Sequence, residues 1–178
     1  MAEAFAWKKP VAVAALPPDG AEFELVPDAE TRVSLAHYAG VEALNALAAR
    51  LTVKPDGRGG ASVRGTLEAD VRQTCVVTLE PFDNQIRESV SLRFAPAEAI
   101  APAPPAIELG VVDPPDPLAD GKLDLAAVVA EFLVLAIDPY PRKPGAAFVQ
   151  PGEPGERAES SKFAALEQLK SRGSNKEG

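Results

Sequence analysis

Cys75 and His37 are the only thiol and the only imidazole in a chain of 178 residues, so any thiol or imidazole chemistry must run through them. A cysteine nucleophile needs the imidazole as its base and a third group to orient that imidazole. No third group stands out, and the plainer expectation is a surface histidine on a helix and a thiol half-buried at a strand end. One cysteine cannot close an internal disulfide, and one cysteine with one histidine cannot complete the four-ligand shell of a structural zinc ion. Neither a metal nor a cofactor is expected. The chain has no Gly-x-Ser-x-Gly elbow and no dinucleotide fingerprint, and the run Gly57 to Gly60 lacks the lysine and the strand-to-helix setting of a phosphate loop. Asp113 and Asp116 sit among prolines, where solvation leaves them ordinary carboxylates. The reading is of a protein without catalytic residues.

Binding chemistry has more to work with. Val63, Gly65, Leu67, Ala69 and Val71 alternate with Arg64, Thr66, Glu68, Asp70 and Arg72, which is a strand with one wet face. Leu47, Ala49, Leu51 and Val53 alternate the same way upstream, as do Ile86, Val90, Leu92 and Phe94 downstream. Glu88 falls among the apolar positions without an evident reason. The wet positions of the three strands collect Arg50, Lys54, Arg64, Arg72, Arg87 and Arg93 against Glu68 and Asp70. Such arginines can grip phosphates, or they can simply solvate the sheet and discourage edge pairing. No aromatic residue interleaves them, which argues against base stacking. Arg142 and Lys143 add a second basic point inside the stiff segment Pro139 to Pro144.

Net charge alone points the other way. With 18 Lys and Arg against 26 Asp and Glu the chain carries −8, unlike a protein that coats nucleic acid through bulk electrostatics. The acidity is local, however: residues 97–138 hold eight acidic side chains and a single lysine.

The elements that must position these residues follow from turn and cap chemistry. Pro55 to Gly60 joins the first two strands, so the three together form an antiparallel meander. Phe5 to Val13 and Phe23 to Val26 are further strand candidates. Asp28 can cap a helix over residues 29–39 that Gly40 stops, and Asp124 can cap another running to about Ala136. The second is apolar nearly all round, which predicts burial with Glu131 as its only interior charge. A third helix is expected from Ser161 to Arg172, with Phe163, Leu166 and Leu169 on one stripe. Pro102, Pro104, Pro105, Pro114, Pro115 and Pro117 make residues 97–119 a loop. The fold class is α+β: an antiparallel sheet of about five strands packed with two helices in residues 1–150, then a flexible linker and loosely tethered amphipathic helix in 151–178. Lys8 and Lys9 precede only a short apolar run, and Leu125 to Ile137 is too short to span a bilayer, so no membrane partner and a cytoplasmic location are expected.

Three stretches, taken in order, resemble the YceD-like proteins, described as needed for accumulation of large-subunit (23S) ribosomal RNA. Val63 to Phe82 is similar to that family's strand ending in Cys-x-x-Cys followed by Pro and an aromatic residue, through Cys75, Thr78 and Pro81. Asp120, Gly121 and Asp124, running on to Glu131 and Pro139, resemble its Asp-Gly-x-Ile-Asp-Leu helix and the Pro that closes it. Phe163 to Lys170 resembles its C-terminal Phe-Ala-x-Leu-x-x-Leu-Lys. The chain departs where the second cysteine would stand, at Thr78, and again after Pro141, where Arg142, Lys143 and Pro144 replace a cysteine-containing segment, as in an alphaproteobacterial-type branch. The resemblance implies a ribosome-biogenesis factor that binds large-subunit ribosomal RNA or its precursors, or a large-subunit ribosomal or maturation protein. The candidate RNA contacts are Arg64, Arg72, Arg87, Arg93, Arg142 and Lys143. The alternative is a protein-only adaptor that holds a basic partner through residues 97–138, with Phe163, Leu166 and Leu169 docking in a groove.

Overall fold

Alternation with period two dictates the centre of the molecule, and a computed structural model describes it over residues 6–100 and 114–148. Strands β3 (Ala43–Pro55), β4 (Ala61–Thr74) and β5 (Pro81–Pro96) form the expected antiparallel meander. Asp56 fixes the first connection: its Oδ1 accepts the backbone N–H of Arg58 at 2.8 Å and of Gly60 at 2.9 Å. Strand β2 (Ala21–Leu25) pairs antiparallel with β3, and β6 (Asp116–Leu118) pairs parallel with the end of β5, giving the order β2-β3-β4-β5-β6. The sheet is therefore mixed at one edge. A separate two-stranded ladder joins β1 (Pro10–Ala12) to β7 (Lys122–Asp124). The early strand expected from Phe5 is thus only three residues long.

Part of the proline-rich segment is also strand rather than loop. Pro117 lies in β6, an edge strand, where a missing N–H can be tolerated. Between β6 and β7, Asp120 and Gly121 both adopt positive φ, 51° and 67°, and Lys122 N–H returns to the Ala119 carbonyl at 3.0 Å. Asp-Gly is the sequence that a two-residue turn with two left-handed residues selects.

Both helix caps are as the sequence dictates. Helix α1 (Ala29–Ala39) starts at Asp28, whose carboxylate accepts the Thr31 N–H at 2.8 Å, and stops at Gly40 with φ 70°. Helix α2 (Leu125–Ala136) starts at Asp124, which accepts the N–H of Ala126 at 3.1 Å and that of Lys9 at 2.9 Å. One carboxylate thereby caps the helix and pins the chain leading into β1.

The core fills the inner face of the sheet. Leu47, Leu51 and Val53 of β3, Val63, Leu67 and Val71 of β4 and Val90 of β5 are buried together with Leu35 of α1 and Leu125, Val129 and Leu133 of α2. Gly65 sits on this inner face because nothing larger fits: a Cβ there would lie 1.9 Å from the Arg50 carbonyl oxygen. Helix α2 is not buried all round. Ala127, Glu131 and Leu135 face outward, so the one charge within the helix lies on its exposed side. Residues 1–144 group as one unit and 145–178 as another, and every element named above belongs to the first. The expected C-terminal helix lies outside the described residues.

Candidate functional site

Strand register converts the wet face of the sheet into rows of neighbours about 5 Å apart across strands. One row reads Lys54, Ser62, Arg93, and the next Glu22, Thr52, Arg64, Ser91. Lys54 and Arg64 make no ion pair among the described residues. At this end of the sheet, cations stand beside hydroxyls.

Further along the same face the charges are matched. Arg50 pairs with Glu24 of β2 at 3.3 Å, Arg87 with Glu68 at 2.8 Å, and Arg72 with Asp83 at 3.1 Å. Asp83 also accepts from Asn45 Nδ2 at 3.2 Å, which links three strands. Sequence reasoning counted only Glu68 and Asp70 against these arginines. Asp83 lies just ahead of the alternation that marked β5, and Glu22 and Glu24 come from a strand whose placement beside β3 is not a local property. All these pairs are exposed, 82% and 61% for Arg50 and Glu24, and each contributes roughly 0–1 kcal/mol.

Arg142 and Lys143 are not brought to this face's basic end. They follow α2 and lie against the turn after β4, ten residues along the strand from Arg64, or about 30 Å at strand rise. Lys143 Nζ pairs there with Glu80 at 2.9 Å. The turn is built on Cys75. Its carbonyl accepts the Leu79 N–H at 2.9 Å, its N–H donates to the Glu80 carbonyl at 2.9 Å, and Leu79 takes φ 59° to close the loop. Pro81 begins β5 directly afterwards.

Cys75 is fully buried, more so than the sequence suggested. Its Sγ receives the Thr78 N–H at 3.5 Å. Hydrogen bonds from Thr78 above all, with lesser ones from the backbone of Lys143 and Val77, draw the thiol down to about 6, while burial works the other way. Gln73, which sequence reasoning passed over, anchors the same corner. It occupies an inward position of β4 at 5% exposure, donates to the Asp138 carbonyl at 3.1 Å and accepts from Asn84 at 3.4 Å. A polar residue at an apolar beat of the alternation was the available signal. Asp138 in turn accepts the Tyr140 N–H at 2.8 Å, shaping the chain around Pro139.

The segments holding Cys75 and Thr78 and holding Arg142 and Lys143 are thus adjacent in space, where the resemblance would put cysteines in each. Here one cysteine sulfur, one hydroxyl and two cationic side chains do not make a zinc site. No group of three or more His, Cys, Asp or Glu among the described residues is placed to hold a cation. Hydrogen bonds to sulfur and the Val76 N–H to Pro141 carbonyl bond, 2.9 Å, join the two segments instead. His37 is exposed on α1. Phe163, Leu166 and Leu169 lie outside the described residues.

The described residues define an α+β protein with a charged, hydroxyl-bearing sheet face and a tightly bonded corner built over the buried Cys75. Residues 63–170 match the family model for the Large ribosomal RNA subunit accumulation protein YceD, and the chain belongs to this family. The description ties the family to accumulation of large-subunit ribosomal RNA. No curated protein and no solved structure matches the chain. No helix among the described residues is long and apolar enough to cross a membrane.

Proposed function

We propose that the protein supports accumulation of large-subunit (23S) ribosomal RNA as a non-catalytic cytoplasmic binding factor, holding that RNA or its precursor by phosphate contacts. The observation that carries this reading is the grouping of Lys54, Arg64 and Arg93 with Thr52, Ser62 and Ser91 on two adjacent register rows. Hydroxyls and cations interleaved on a wet sheet suit phosphate oxygens, and the lack of aromatic residues suits backbone rather than base recognition. Arg72 and Arg87 contribute less, because Asp83 and Glu68 already offset their charge. Arg142 and Lys143 would reach a separate stretch of a long RNA. An adaptor working through residues 97–138 has less support, since Asp124 and Asp138 there are occupied in accepting backbone N–H groups of this chain.

The test is a salt titration of binding to large-subunit ribosomal RNA fragments. Affinity should fall with a slope of roughly 2 to 3 in log K against log salt if three phosphates are neutralised, and Lys54→Gln with Arg64→Gln should remove about 1 to 2 of that slope. Arg50→Gln, at a matched pair, should leave it nearly unchanged. Absence of binding at low salt, or affinity indifferent to salt, would sink the proposal.

A further inference from the structure

Strand β5 runs sixteen residues, yet β6 covers only Phe94 to Pro96 on its outer side. From Pro81 to Arg93 the strand is paired by β4 on one edge and, among the described residues, by no backbone on the other. An edge of this length offers a row of N–H and C=O groups to any extended chain. Its inner-face residues Ile86, Val90 and Leu92 are apolar and buried or half-buried, and Glu88 stands half-buried among them. The Glu88 carboxylate has no hydrogen bond and no ion pair among the described residues. An inward carboxylate on an edge strand discourages pairing with most chains, and by the same physics favours one that brings a cation.

We infer that this edge accepts, by β-strand addition, an extended basic segment of a partner protein, with a Lys or Arg of that segment paired to Glu88 and apolar residues two places to either side lying beside Ile86 and Val90. The inference concerns the strand's edge and does not rest on the RNA contacts of its outer face. Charge decides among three occupants. A second copy pairing antiparallel with its inner face continuous would set Glu88 opposite Phe82, Asn84, Ile86, Glu88, Val90, Leu92 or Phe94, and none of these is a cation. The chain's own residues 101–113 contain no Lys or Arg, carry Glu108 and Asp113, and lose three backbone donors to Pro102, Pro104 and Pro105. Only a foreign basic strand satisfies both the open ladder and the carboxylate.

The experiment uses the full chain and two synthetic peptides long enough to span Pro81 to Arg93. Both alternate Val and Thr; one carries Lys at the central inward position and the other carries Glu there. The lysine peptide should bind and slow amide hydrogen exchange within residues 81–93. Glu88→Lys should weaken that peptide by about tenfold or more and strengthen the glutamate peptide by a similar factor, a reversal that a merely misfolded variant would not show. A lysine peptide methylated on alternate backbone nitrogens should fail to bind. Three results would overturn the inference: equal binding of the two peptides, protection already present in the unliganded monomer at those amides of 81–93 that do not bond to β4, or a self-associated species that persists in Glu88→Lys.

Discussion

The backbone N–H of Val76 donates to the carbonyl of Pro141 at 2.9 Å, so the turn that ends β4 and the segment that follows α2 are one structural corner. Cys75, the residue before Val76, is buried, and the hydrogen bonds of Thr78 and Lys143 that reach its sulfur favour thiolate over thiol. The corner's integrity and the protonation of one sulfur are therefore linked.

The thiol should titrate with a midpoint at about 6, read from thiolate ultraviolet absorbance on the chain's single cysteine. Thr78→Val, which removes the largest contribution, should return it toward the ordinary thiol range. Because the folded state lowers this pKa, the stabilisation is complete above the unfolded thiol's value and is lost as pH falls through about 6. Denaturant unfolding of wild type and Cys75→Ser should then diverge as pH rises from 6 toward 9 and run parallel at lower pH. Parallel curves throughout would contradict the hydrogen-bonded thiolate.

Gly65→Ala should cost about 3 kcal/mol or more, because its Cβ would meet the Arg50 carbonyl at 1.9 Å and two central strands cannot part locally. Gly57→Ala is the contrasting case. Its φ is 75° with no atom within 4 Å of the added methyl, so only the left-handed conformation is penalised, by about 1 to 2 kcal/mol. Urea midpoints at constant slope measure both, and equal losses would contradict the tight β3–β4 approach.

The two helix caps should separate in the same assay. Asp28→Ala removes one cap bond and should lower the urea midpoint, whereas Asp124→Ala removes a cap and the Lys9 tether and should lower it further. The Asp28 carboxyl is held below its usual range, chiefly by the Thr31 N–H. Its contribution is present above the ordinary carboxylate range and fades as pH falls through the lowered value. Asp28→Asn should keep most of the cap while removing that acid sensitivity.

Local patterns set much of this protein before any tertiary contact forms. Side chains at i and i+2 share a face of a strand whatever the strand pairs with, so the meander of Leu47 to Phe94 and its buried face are readable from the sequence. Asp28, Gly40 and Asp124 act on backbone groups within a few residues, so both helices are readable too. Which charges meet is a different matter, because register across strands depends on residues far apart in the chain. Glu24 neutralises Arg50 only because β2 docks beside β3, and Asp83 neutralises Arg72 only because β4 and β5 align at that step. Glu88 has no local explanation: its place is explained by an edge that β6 covers for only three residues. The sequence by itself determined the strands, the caps and the supply of cations. Tertiary structure alone decided which cations lie beside hydroxyls at the end of the sheet, which are matched by carboxylates, and that the backbone of Lys143 reaches Cys75, because electrostatic and hydrogen-bond partners are chosen by distance in space.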